Sequence, residues 1–123
     1  MTHEQIRDLA IQEAARAFQV PPELIIGRLR PDPVVKARHC VAALLRINFG
    51  LRSTTIGRLT DRDHGTILNS VTQHINLTAT SMDYRLKSQV VVANVEAAFR
   101  DAVNRLRRDD ASAAAVILGE VKP

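Results

Sequence analysis

Apolar residues recur along this chain at three- and four-residue intervals, the period of a helix with one buried face. In the first segment Ile6, Leu9, Ala10, Ala14, Ala17 and Phe18 form such a stripe. Thr2 with Gln5 three residues on has the form of a capping box, so a helix is predicted to residue 19, where Pro21 and Pro22 end it. The segment PELII is predicted to form a short helix that stops at Gly27 in a left-handed cap, followed by the basic loop GRLRPDP. Asp32 before Pro33 reads as a carboxylate cap and helix start. From there Val34, Ala37, Val41, Leu44, Leu45 and Asn48 mark a central buried helix that closes at Phe49-Gly50.

The second half continues in the same period. Ser53 is placed to cap a short helix through Leu59, TDRD turns the chain, and Asp63 is placed to cap a helix over 63–76. In that helix Ile67, Leu68, Val71 and Ile75 are expected to face inward, and Thr66, Asn69, Ser70 and Gln73 outward. After NLTATS, Ser81 starts a long helix predicted over 82–108, with Val91, Val95, Phe99, Ala102 and Leu106 as its stripe. This stripe fits intramolecular core, with a homodimer seam as the other use of the same helix. Residues 109–123, from the end of RRDD into an alanine-rich stretch, are expected to be a flexible tail. With no strand alternation, internal repeat or long linker, residues 1–108 read as one all-α domain.

Composition narrows the class. A chain of 123 residues with 46% hydrophobic content supports one core, and 3% aromatics with no Trp means that Leu, Ile, Val and Ala must build it. The single cysteine, Cys40, has no partner for an internal disulfide, and its neighbours Val41, Leu44 and Leu45 suggest a buried thiol. Adjacent His39 points about 100° away on a helix and makes a poor dyad with it. His3, His39, His64 and His74 lack metal-ligand spacing, and the glycines never form a phosphate-binding G-x-x-x-x-G-K-[ST] loop. No enzyme, metal or cofactor is therefore expected. The start MTHEQIRDLA lacks a basic segment followed by an apolar one, and no run approaches the ~18 apolar residues of a membrane span. The expected location is cytoplasmic, with no membrane partner.

Charge distribution points to a partner. The overall charge is +4, yet residues 28–62 alone hold Arg28, Arg30, Lys36, Arg38, Arg46, Arg52, Arg58 and Arg62 against only Asp32 and Asp61. Basic charge concentrated beside a helix-turn-helix pattern is an electrostatic footprint for phosphates. The helix at 63–76 would enter a major groove by its N-terminus, where Arg62, His64 and Thr66 could reach base edges.

The segment IGRLTDRDHGTIL also resembles the signature of the C-terminal DNA-binding domain of the bacterial replication initiator DnaA: Ile-Gly, a few residues, then Arg-Asp-His-Thr-Thr-Val-Leu. Upstream, AFQVPPELIIGRLR is similar to the family's short first helices and basic loop, and KARHCVAALLR to its long helix, so the resemblance covers residues 15 to 76. It implies an all-α fold with a helix-turn-helix of the Trp-repressor-like, DnaA C-terminal kind. It also implies that Arg28 or Arg30 lies in the minor groove, that Lys36 and Arg38 hold phosphates, and that Arg62, Asp63, His64 and Thr66 dock in the major groove. Arg52 and Arg58 add to the phosphate anchors, and Ser53, Thr54 and Gly65 complete the candidate DNA-binding set. Gly65 stands where the family has a base-touching Thr, and Ser53-Thr54 where it has Leu-Pro. The ATPase module of the full initiator is not in this sequence. The expected function is sequence-specific binding of double-stranded DNA that regulates replication initiation or transcription at initiator-box-like sites. The rival is a helical module that contacts the initiator or another protein through the C-terminal helix.

Overall fold

The computed structural model describes the backbone of residues 1–117 and the side chains of residues 1–110. Its described elements are α1 (His3–Phe18), α2 (Pro22–Ile26), α3 (Asp32–Ala43), α4 (Ser53–Thr60), α5 (His64–Thr80) and α6 (Met82–Ile117), with no strand among the described residues. The all-α expectation agrees with this architecture. No helix of the described residues is long and apolar enough to cross a membrane.

Helix α1 begins with the capping box that its sequence announces. Thr2 Oγ1 accepts from the Gln5 N–H at 3.1 Å, and Gln5 Oε1 accepts from the Thr2 N–H at 2.8 Å. Its buried face, Ile6, Ala10, Ile11, Ala14, Ala15 and Phe18, packs on α3 and α6. The chain leaves through Gln19, in the left-handed region at φ 56°.

Helix α3 is the centre of the molecule, with Val34, Ala37, Cys40, Val41, Ala42 and Ala43 buried. Burial in this apolar setting pushes the Cys40 thiol up to about 12, so the sulfur is an inert core atom. The helix widens into a π-helical turn over Leu44–Asn48, where the Phe49 N–H donates to Leu44 O at 3.2 Å. Gly50 then turns the chain at φ +68°, a conformation in which L side chains are strained. Asn48, expected on the buried face, is exposed and donates to Glu96 Oε1 at 3.1 Å.

Three predicted caps are displaced. Gly27 is extended, at φ −65° and ψ −174°, and forms no left-handed cap. Asp32 is the first residue of α3 and not its cap: Pro31 holds that position, and the Asp32 carboxylate pairs with Lys36 Nζ at 2.8 Å one turn on. Ser53 likewise opens α4, with Arg52 in the cap position and no side-chain capping bond.

The inward face of α5 also differs from the expected one. Ile67 is buried, but Leu68 and Ile75 are exposed at 49% and 57%, while Ser70 is buried. Ser70 and His74 go inside because each finds a partner: His39 Nδ1 lies 3.0 Å from Ser70 Oγ, and His74 Nδ1 lies 2.7 Å from the Tyr84 hydroxyl. A hydrogen-bonded buried Ser lets α5 approach α3 closely without a desolvation penalty.

Helix α6 starts as expected at Ser81, whose Oγ accepts from the Tyr84 N–H at 3.2 Å. Tyr84, Val91 and Val95 are fully enclosed, Tyr84 lies against Phe18 at 5.7 Å between ring centroids, and Phe99 meets Phe49 edge-on at 5.3 Å. Val91 and Val95 thus belong to the chain's own core, whereas Leu106 is 55% exposed. Expected to stop at 108, the helix runs on to Ile117, so residues 109–117 are helical; the remainder of the expected flexible tail, 118–123, lies outside the described residues.

Candidate nucleic-acid interface

The α4–α5 turn is built on a close approach. Asp61 adopts the left-handed conformation at φ 55°, and the Arg62 N–H donates back to Gly57 O at 2.8 Å. A Cβ on Gly57 would lie 2.3 Å from the Arg62 carbonyl oxygen, a separation that only glycine tolerates. This fixes the angle at which α5 leaves the turn.

Asp63 caps α5 as its sequence predicts, its Oδ1 accepting from the Thr66 N–H at 2.7 Å. That backbone bond, with the Thr66 side chain next, holds the Asp63 carboxyl below the usual carboxylate range. The exposed first turn of α5 therefore presents His64, Gly65 and Thr66 beside a fixed carboxylate. Gly65 meets no steric demand: a Cβ there would only touch Asp63 Oδ1 at 3.4 Å.

The arginines divide into two kinds. Arg38 is turned inward: its Nε donates to Ile25 O and its Nη2 to Leu24 O, both at 2.7 Å, and its Nη1 donates to Leu29 O. Arg62 donates to Gly27 O and, at 3.2 Å, to Asp61 O. Together they cap the C-terminal carbonyls of α2 and fasten the basic loop to α3 and to the helix-turn-helix, the task that Gly27 was expected to perform. Arg38, read from sequence as a phosphate anchor, thus has most of its guanidinium committed to the protein. Burial, then the charges of Arg62, Arg30 and Arg28, pushes Arg38 below the ordinary arginine range, and burial followed by Arg28 does the same to Arg62.

Arg30, Arg52 and Arg58 are exposed and make no ion pair or hydrogen bond through their side chains among the described residues. Arg28 is intermediate in this respect. It is exposed, but its Nη2 reaches Asp61 Oδ2 at 3.4 Å and Asp61 O at 3.1 Å, an ion pair of the weak solvated sort.

Arg28, Arg58, Arg62, Asp63 and Thr66 line one open depression across the turn. Arg28, Arg62 and Thr66 also line a second, deeper cavity with Arg30 and Arg38. Lys36, Arg52, Ser53, Thr54, His64 and Gly65 line neither; Lys36 begins α3, Arg52 to Thr54 begin α4, and His64 and Gly65 begin α5. Sequence reasoning missed His39 and Ser70, which meet inside the deeper cavity, and Asn69 on its rim. Only Asn69 carried a local signal, one helical turn beyond Thr66 on the same face. Among the described residues no group of three or more His, Cys, Asp or Glu side chains could hold a metal ion.

The sequence profile of the family described as "Bacterial dnaA protein helix-turn-helix" matches residues 8–74, more than half of the chain and the whole of α2 to α4 with most of α1 and α5. No curated protein matches the chain. The exposed capped start of α5, the glycine-closed turn and the arginine-fastened loop all fall within that match. The chain belongs to the bacterial DnaA helix-turn-helix family, whose domain binds DNA.

Proposed function

We propose that this domain binds duplex DNA sequence-specifically, at short sites resembling initiator boxes, and so regulates replication initiation or transcription. The first turn of α5 enters the major groove. There His64 and Thr66 face base edges, and the second Asp63 oxygen accepts from a cytosine amino group while the first keeps its cap. Arg62 adds its remaining N–H groups from the turn. Gly65 offers no methyl to a thymine, so the apolar contact that would discriminate that base is missing.

Arg30 takes the minor groove, where a narrow A·T tract attracts a guanidinium. It is preferred over Arg28 because Arg28 must first leave Asp61. Arg52, Arg58 and Lys36 hold phosphates, helped by Ser53 and Thr54 at the start of α4. Arg38 acts on DNA indirectly, by fixing the loop that carries Arg30. The observation that carries this reading is the set of exposed arginines without protein partners, Arg30, Arg52 and Arg58, on elements flanking the turn.

Selection from a random duplex library tests it. An enriched motif containing an A·T tract on one side is expected, asymmetric if one copy binds, palindromic if two do. Recovery of no motif would overturn sequence-specific binding.

A second reading, a protein-contact surface for the initiator or for a second copy, is favoured by α6, which exposes Met82, Leu86 and Val90 at four-residue spacing. A Leu86→Glu, Val90→Glu variant should abolish any association seen by sedimentation and leave DNA binding intact; unaltered association would rule this surface out.

A further inference from the structure

We propose that the cavity beneath the arginine cluster is a binding site for a small organic anion with an apolar body, such as an aryl or alkyl phosphate, and that its occupancy opposes DNA binding. The cavity has a volume of about 300 Å³, the size of a small-molecule site. Its lining has two chemically distinct parts. Arg28, Arg30, Arg38 and Arg62 surround it with cationic groups, and no acidic side chain lines it. Beneath them Ile25, Val41, Ala42 and Ile67 form a floor, each no more than 4% exposed. The His39–Ser70 pair is the polar contact at that depth.

A phosphodiester strand explains only the upper part. Phosphates are held by charge at a surface and need no apolar hollow beneath them. An anion with an apolar body uses both parts: its head is held by the arginines, and its body leaves water for contact with the apolar floor. Burial is the chief cause holding Arg38 and Arg62 below the ordinary arginine range, with Arg62, Arg30 and Arg28 adding to the effect on Arg38 and Arg28 to that on Arg62, where Asp61 acts in the opposite direction.

The antagonism rests on the DNA-binding reading above, whereas the binding itself does not. The anion's head would sit among Arg28, Arg30 and Arg62, of which the reading assigns Arg30 and Arg62 to DNA. Two ligands competing for the same arginines must weaken each other reciprocally.

The test uses the full chain, titrated with inorganic phosphate and with phenyl phosphate and followed through backbone amide resonances. Phenyl phosphate is expected to bind about tenfold more tightly, from burial of the ring, with the largest shifts at Ile67 and Ser70. Asn69→Trp fills the cavity from its exposed rim; it should erase that preference and leave inorganic phosphate binding unchanged. Equal affinity for the two anions in the unsubstituted protein would overturn the site. In a second arm, phenyl phosphate should release a selected duplex at a lower concentration than inorganic phosphate does. If the ester binds the cavity and the duplex stays bound, the antagonism is wrong. If the ester binds but no duplex does, the DNA reading fails and the anion site stands.

Discussion

Arg38 and Arg62 on one side, and Arg52 and Arg58 on the other, come from the same basic run of the chain, yet they do different work. The first pair is half-buried and bonded to the carbonyls of Leu24, Ile25, Gly27 and Leu29, at the junction of loop, α3 and turn. The second pair stands exposed, Arg52 at the cap position of α4 and Arg58 in its last turn, without protein partners among the described residues. A count of basic residues therefore overstates the number of contacts available to DNA. The junction gives shape, and the α4 face gives charge.

The sharpest way to break this division is to truncate one arginine from each side. Arg38→Ala removes three charge-assisted bonds and leaves carbonyls at the end of α2 unpaired, so unfolding in denaturant should show a loss of about 2–3 kcal/mol. Arg52→Ala should stay within about 0.5 kcal/mol of the parent. Equal losses at the two positions would erase the distinction.

The two glycines of the helix-turn-helix extend the contrast. Gly57→Ala forces a methyl against the Arg62 carbonyl oxygen, shifts the residue that holds Gly27, and should cost about 1–3 kcal/mol. Gly65→Ala meets only ordinary contact and should be neutral or stabilising by about 0.5 kcal/mol, since alanine favours the helix. Thermal unfolding of the two variants separates them, and a stable Gly57→Ala would refute the close-approach account.

Acid should loosen the packing of α5 on α3 and α6 before it affects the cap of α5. Burial is the chief cause holding His39 and His74 below the ordinary histidine value of 6.5, with His74 and Arg38 adding to the effect on His39. The unfolded chain then binds more protons than the folded one as pH falls below 6.5, so stability declines in that direction. Asp63 contributes in a lower window: its carboxyl is depressed, so its stabilisation is present above the unfolded carboxylate range and is lost as pH falls through the folded value. A His39→Gln, His74→Gln variant should flatten the decline of melting temperature between pH 6.5 and 5. An unchanged slope would assign it elsewhere.

Local chemistry was legible from residue spacing alone. The Thr2–Gln5 box, the Asp63 cap and the Ser81 start each satisfy backbone donors within a few residues, and each stands as read. What could not be read depends on distant partners. Gly27 needs no left-handed turn because Arg38 and Arg62 supply donors from far along the chain. Ser70 was placed outside because a polar residue is costly to bury alone, and His39 from α3 removes that cost. Tyr84, unclaimed in the sequence, is buried because His74 meets its hydroxyl and Phe18 its ring. A candidate DNA-binding set could be named because turn and charge lie together in sequence. Their division into structural and free arginines required the fold.

The salt dependence of DNA binding tests the free-arginine claim most directly. Each phosphate contact contributes about 0.9 to the slope of log K against log salt concentration. Simultaneous Arg52→Ala and Arg58→Ala should therefore flatten that slope by about 1.8 in a protein that unfolds like its parent. A double variant that folds normally and keeps the parental slope would contradict the account.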